Sequence, residues 1–220
     1  ITALEGLLTE VSRARPLPVG LFLLSAAFWW SFEVLNRFVQ NWSYPALERF
    51  SGVEYVLLAT VAFSTVLPAV DVTFRLLNER FDGGLSVKLP MPPAWPLLGA
   101  STLVLFFVPV YPNELFVFVW VAPLVNGLVV AKLLGLKGPL SERSINALAR
   151  WALAALCCGF LWELWNFRSA FKWLYHIPYV EQWHLFEMPL LGFAGYLPFG
   201  VLCGLVIEWY FIAVSERSRQ

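Results

Sequence analysis

The side chains best suited to chemistry in this chain are carboxylates and amides that occur twice in one order, about 130 residues apart. Glu33 and Asn36 stand three positions apart, and so do Glu163 and Asn166. A Trp-x-Tyr pair and then a Pro-x-x-Glu pair follow in both places. Ionisable groups are costly in apolar segments, so a set repeated at fixed spacing predicts a duplicated functional site.

We expect the second occurrence to be the working site, because both histidines, His176 and His184, belong to it. Its loop is also longer, with 24 positions from Glu163 to Glu187 against 21 from Glu33 to Glu54. Carboxylates in a partly apolar cavity can act as general acids or bases. The predicted catalytic residues are Glu163, Asn166, His184 and Glu187, and the predicted ligand-binding residues are Glu33, Asn36, Glu54, Trp173, Tyr175 and Arg168.

The same residues have a purely structural interpretation. Carboxylates at helix starts serve as caps, and Arg168 and Lys172 can extend to lipid headgroups. Trp and Tyr residues gather in the interfacial belts of membrane proteins, which would account for Trp173 and Tyr175.

A metal site is a further prediction for the second occurrence. His184 lies three residues before Glu187, and together with Glu163 they offer nitrogen and oxygen ligands. The chain contains no HExxH motif, so the signal is weak, and the sequence indicates no particular cofactor.

The composition shows which elements must position these groups. Hydrophobic residues make up 59% of the 220, and charged residues only 14%, which indicates a polytopic membrane protein. The formal net charge is zero, so no overall field favours a nucleic acid partner.

We predict an all-α fold, a polytopic membrane helical bundle of about six transmembrane helices in one domain over 1–220. The apolar stretches lie near 18–38, 54–77, 94–111, 114–135, 147–171 and 186–214. Residues 1–15 read as an amphipathic interfacial helix. Helices 1–2 (18–77, segment one) and 5–6 (147–214, segment two) form a predicted parallel internal repeat, and 94–135 a central hairpin.

The distribution of cationic residues predicts the orientation. Of the 15 Lys and Arg, eleven fall on one side of the six predicted helices and four on the other, namely Arg37, Arg49, Arg168 and Lys172. Lys and Arg are enriched in cytoplasmic loops, so both termini should be cytoplasmic and both Glu/Asn sets should face outward.

Three functions fit these features, of which a transporter is disfavoured because the polar groups concentrate at one membrane face rather than at the midplane. The first is a membrane enzyme that acts on a lipid or isoprenoid substrate through an outward-facing Glu/Asn/His/aromatic site. The alternative is a non-catalytic accessory subunit that binds lipid, quinone or pigment within a larger membrane complex. Membrane lipids and other membrane subunits are the expected partners, and a bacterial inner membrane is the expected location.

Cysteine labelling tests the orientation. We expect Pro45→Cys and Pro178→Cys to react with a membrane-impermeant maleimide in intact cells, because both loops are predicted to face outward. Labelling of both positions only after lysis would reverse the topology.

Overall fold

A computed structural model describes residues 17–80 and 87–217. It is mostly helical (71%), which confirms the all-α class. The predicted interfacial helix over 1–15 lies outside the described residues.

Eight α-helices follow one another along the described chain. They are α1 (Val19–Val39), α2 (Gly52–Phe63), α3 (Val66–Arg80), α4 (Ala94–Phe107), α5 (Pro112–Leu115), α6 (Phe118–Leu133), α7 (Ile145–Arg168) and α8 (Tyr196–Arg217). Short 3-10 helices cover Pro45–Arg49 and Leu190–Gly195. Four two-residue strands complete the fold: β1 (Trp42–Ser43), β2 (Leu174–Tyr175), β3 (His184–Leu185) and β4 (Met188–Pro189).

Four helical stretches in the described ranges are long and apolar enough to cross a bilayer. They are Val19–Val39, Gly52–Asn78, Ile145–Arg168 and Leu190–Arg217, which match the predicted helices 1, 2, 5 and 6. The chain is therefore a multi-pass membrane protein. The other two predicted spans contain the shorter helices α4 and α6, of 14 and 16 residues. At 1.5 Å per residue, 14 residues extend only about 21 Å, less than a bilayer core of roughly 30 Å.

Local sequence explains how the loop that follows α1 is bounded. α1 ends at Val39, and the residue that caps it, Gln40, adopts the left-handed conformation with φ 50 and donates its backbone N–H to the Asn36 carbonyl. α2 begins with a capping box between Ser51 and Glu54, in which each side chain accepts a hydrogen bond from the other residue's backbone N–H. Glu54 therefore caps a helix, as the structural interpretation expected.

The core forms where α3, α7 and α8 pack together. The rings of Phe74 and Trp151 stack with their centroids 3.8 Å apart. α8 approaches α7 closely because it presents glycine: a Cβ at Gly200 would lie 2.3 Å from the Trp151 carbonyl oxygen, and one at Gly204 would lie 2.3 Å from the Trp151 ring. Small residues at such crossings let two membrane helices approach closely.

This contact predicts the effect of adding one methyl group. Gly200→Ala should lower the free energy of unfolding of the detergent-solubilised protein by about 1–3 kcal/mol, and its melting temperature with it. The reason is that the methyl group meets the backbone of α7, which cannot rotate away. Gly195→Ala is the matched control, since a Cβ there has no neighbour within 4 Å. Equal melting temperatures for the two variants would contradict the α7–α8 packing.

Candidate functional site

The two loops that carry the Glu/Asn sets meet at one end of the helical bundle. β1 and β2 pair antiparallel, with Trp42 opposite Tyr175 and Ser43 opposite Leu174. We call this pair the ribbon. The Ser43 hydroxyl also lies 3.0 Å from Nε2 of His176, which continues the contact past the strands. The two loops are thus on the same side of the bundle.

Each asparagine fastens the end of its helix to the loop that follows. Asn36 donates from Nδ2 to the Trp42 carbonyl at 2.8 Å, and the Trp42 N–H donates to Asn36 Oδ1 at 3.3 Å. Asn166 makes the same two bonds with Trp173, at 2.9 Å and 2.8 Å. The side-chain amide pairs with the N–H and the C=O of one residue, as the backbone of a neighbouring strand would, and so satisfies two backbone groups at once. We call these pairs the asparagine clamps.

Glu33 is the acceptor at the centre of the first loop. Its side chain is 9% exposed, and Oε1 accepts from Trp29 Nε1 at 3.1 Å, Trp42 Nε1 at 3.1 Å and the Tyr44 hydroxyl at 2.7 Å. No described residue donates to Oε2 of Glu33. One carboxylate oxygen therefore fixes the loop while the other is available to a ligand.

Glu163 has the matching place in segment two but is fully enclosed, with 0% exposure. Its Oε1 accepts from the hydroxyls of Tyr175 at 2.6 Å and Tyr196 at 2.8 Å. Trp173 donates its indole N–H to the Tyr175 oxygen at 2.7 Å, which ties that phenol in turn. Oε2 of Glu163 is buried and has no hydrogen-bond partner in the described part of the chain.

The loop phenols stay protonated. Burial, with the nearby Glu33 carboxylate adding to it, raises the pKa of Tyr44 far above its usual value. Burial also raises the pKa of Tyr175, with the neighbouring Tyr196 and Glu163 contributing. Both side chains therefore act as neutral hydroxyl donors to the carboxylates throughout the physiological pH range.

Tyr196 is a site residue that the sequence analysis missed. In segment one, Trp29 stands four positions before Glu33 and donates to it, whereas Gly159 stands four positions before Glu163. A Cβ at Gly159 would lie 2.5 Å from the Tyr196 ring. The tyrosine from α8 thus occupies the room that glycine leaves and supplies the missing donor. The difference between Trp29 and Gly159 at matching positions was the one sequence feature that could have indicated a donor from another helix.

A cavity of about 810 Å³ opens at the ribbon end of the bundle, beside the C-terminal turns of α1. Segment two contributes to its lining through His176 and Pro178, while most of the wall comes from segment one. Its lining includes Trp30, Glu33, Arg37, Tyr55, Asn113 and His176. Arg37 is exposed and forms no ion pair with any residue in the described ranges. The arrangement is an aromatic recess with one carboxylate and one guanidinium.

The structure does not gather the predicted catalytic residues around one cavity. Glu163 and Asn166 hold the loop, as described above. Glu187 pairs with Lys172, with Oε1 and Nζ 2.6 Å apart. The sixth predicted helix, near 186–214, would place Glu187 in its first turn, and this start is wrong: Glu187 lies in the turn between β3 and β4, and the 3-10 helix begins only at Leu190. His184 lies in strand β3 and is exposed.

The remaining predicted binding residues also have structural contacts. Trp173 and Tyr175 belong to the clamp and to the Glu163 network and do not line the cavity. The Arg168 guanidinium lies over the Phe167 ring, 5.6 Å from its centroid.

The predicted metal ligands His184, Glu187 and Glu163 do not form a metal site. In residues 17–80 and 87–217, no three His, Cys, Asp or Glu side chains are placed so that they could hold a metal ion. Instead, Glu163 accepts from two phenols through Oε1, Glu187 pairs with the Lys172 ammonium group, and His184 lies on an exposed strand.

No protein family, curated protein or solved structure matches this chain.

Removing the donor from an asparagine clamp tests its role. Asn36→Asp and Asn166→Asp should each lower the free energy of unfolding by about 1–3 kcal/mol, because the carboxylate cannot donate to the backbone carbonyl of Trp42 or Trp173. The measurement is the melting temperature in detergent. Asn113→Asp, an exposed change at the cavity rim, is the control and should leave the melting temperature unchanged. Equal melting temperatures for all three variants would show that the clamps do not support the loops.

Proposed function

We propose that this protein binds an amphiphilic lipid or isoprenoid in the cavity at the ribbon end. The observation that carries the proposal is the cavity itself, of about 810 Å³, with aromatic walls and with Glu33 and Arg37 at its surface. Ligand sites are typically concave, largely apolar and supplied with a few fixed polar groups. Two opposite charges on one helix face suit a ligand that has a polar head and an apolar remainder.

The surroundings of the cavity favour a ligand that comes from the bilayer. Helix α2 has no buried residue, and Val53 and Val61 are 71% and 69% exposed. Such a surface faces lipid in a membrane protein. Tyr55, on the first turn of this helix, lines the cavity, so the recess adjoins a lipid-facing surface. A membrane amphiphile could therefore enter sideways without crossing water.

The proposal includes a membrane arrangement of six spans, with the ribbon end outside and both termini in the cytoplasm. The eleven-to-four distribution of Lys and Arg supports the orientation. For the two short helices, the mostly apolar residues between Phe107 and Phe118 would add to the length available for crossing.

We also propose that segments one and two are a parallel internal repeat. The matching asparagine clamps support this proposal. The ribbon supports it too, because Ser43 and Leu174, which each directly follow the clamped tryptophan of their own loop, pair with each other. Two copies related by an axis along the membrane normal would meet in this antiparallel way at the axis. α3 and α8 further agree in having proline at their third position, Pro68 and Pro198.

A second candidate is an enzyme that acts on the bound lipid or isoprenoid. The observation in its favour is Glu33, which lines the cavity and whose Oε2 receives no hydrogen bond from the described residues. A carboxylate oxygen in that position could take a proton from a bound substrate. In a non-catalytic accessory subunit, the same oxygen would only accept a hydrogen bond from the bound ligand.

Mass spectrometry of co-purified lipids tests the proposal. The purified protein should retain about one amphiphile per chain, and Glu33→Gln should reduce that retention by about tenfold, because a charged acceptor is lost. Glu48→Gln is the matched control: it removes the same charge from an exposed position in the same loop that does not line the cavity. Equal retention by both variants, or no bound amphiphile in the unmodified protein, would contradict the proposed function.

A further inference from the structure

Segment two closes the place where segment one has its cavity. The Phe186 ring packs against Phe160 and Phe167, with centroids 5.5 Å and 5.7 Å apart. These two phenylalanines stand three positions before and four positions after Glu163, on the same face of α7. Phe186 thus packs along the helix face beside Glu163, and that carboxylate is completely buried.

The same face of α1 is open. The positions three before and four after Glu33 are Trp30 and Arg37, and both line the cavity. Tyr55 packs on Trp30 with centroids 6.1 Å apart, but position 37 offers a guanidinium and no second ring. The cavity extends between these groups and reaches Glu33. Segment two therefore places the Phe186 ring at the position that corresponds to the cavity in segment one.

We infer that the cavity binds a flat ring bearing a hydroxyl group, as in a phenolic or quinol headgroup on an apolar tail. This inference rests on the proposed function and names the chemical class of its ligand. The ring would lie between Trp30 and Arg37 as Phe186 lies between Phe160 and Phe167. A guanidinium stacks on an aromatic face, so Arg37 can replace the second phenylalanine.

The hydroxyl group is required by Glu33. Glu33 lines the cavity, and its Oε2 has no donor among the described residues, so a bare hydrocarbon ring bound against it would leave that oxygen desolvated and unpaired. A ligand O–H supplies the donor, as the hydroxyls of Tyr175 and Tyr196 do for Glu163. A neutral hydroxylated ring also suits a recess in which the charges of Glu33 and Arg37 offset each other.

Native mass spectrometry of the full chain in lipid nanodiscs tests the class of ligand with three probes. We expect 4-octylphenol to bind at least about tenfold more tightly than octylbenzene, which lacks the donor, and than 4-octylcyclohexanol, which lacks the flat ring. Glu33→Gln should remove most of the preference for the phenol. Equal binding of the three probes would overturn the inference. If the protein still retained a co-purified amphiphile through Glu33, the proposed function would stand without it.

Removing the internal ring tests the same idea in reverse. Phe186 has φ 61, a conformation that glycine adopts without strain, so Phe186→Gly should fold while exposing Glu163. We expect this variant to bind two molecules of 4-octylphenol per chain, the second unaffected by Glu33→Gln. Tyr179→Gly is the matched control, since Tyr179 has φ 66, is 78% exposed and does not cover Glu163. If the Phe186→Gly variant folds but binds only one molecule of 4-octylphenol per chain, as the control does, the inference is overturned. If the variant does not fold, the three-probe comparison on the unmodified chain decides the question.

Discussion

The fold depends on the need to supply hydrogen-bond donors to two carboxylates placed at the ends of apolar helices. A carboxylate buried at such a position is costly unless donors surround it. The loops that follow α1 and α7 provide these donors from indole and phenol groups, which combine an apolar body with one polar hydrogen. Many of the aromatic residues at this end therefore serve a hydrogen-bonding purpose in addition to any contact with lipid.

The asparagine clamps and the ribbon follow from the same requirement. A loop can present its donors to Glu33 or Glu163 only if its backbone is fixed relative to the helix. The side-chain amides of Asn36 and Asn166 fix it by pairing with backbone groups one turn beyond the helix end. The ribbon then joins the two fixed loops, so that each network of donors supports the other.

The two segments meet this requirement in different ways, and the difference locates the site. Trp29 supplies a donor from α1 itself, whereas Gly159 makes room for Tyr196 from the neighbouring helix. Phe186 then packs on the two phenylalanines that stand before and after the second carboxylate on α7, while the first carboxylate lines a cavity. The working site is accordingly proposed at segment one, opposite to the expectation from the histidines. Histidines attract attention because they titrate and bind metals, yet His184 lies on an exposed hairpin.

Sequence reasoning succeeded where a residue's role depends on its own helix or on near neighbours. The four long helices follow from apolar length, and the Glu/Asn spacing correctly indicated two matching arrangements of contacts. It failed where partners come from distant elements. The contact of Tyr196 with Glu163 depends on how α8 crosses α7. Glu187 was placed in the sixth predicted helix because the apolar stretch begins near 186, whereas a short hairpin precedes the 3-10 helix at Leu190.

The most direct test of this account is a disulfide cross-link across the ribbon. With Cys157, Cys158 and Cys203 replaced, Ser43→Cys and Leu174→Cys should form an intramolecular disulfide under mild oxidation, because paired residues on antiparallel strands lie within disulfide reach. Ser43→Cys combined with Glu181→Cys, a position in the same loop but outside the ribbon, should remain reduced. Absence of the first cross-link, or equal cross-linking of both pairs, would show that the two loops do not pair in this register and would contradict the account.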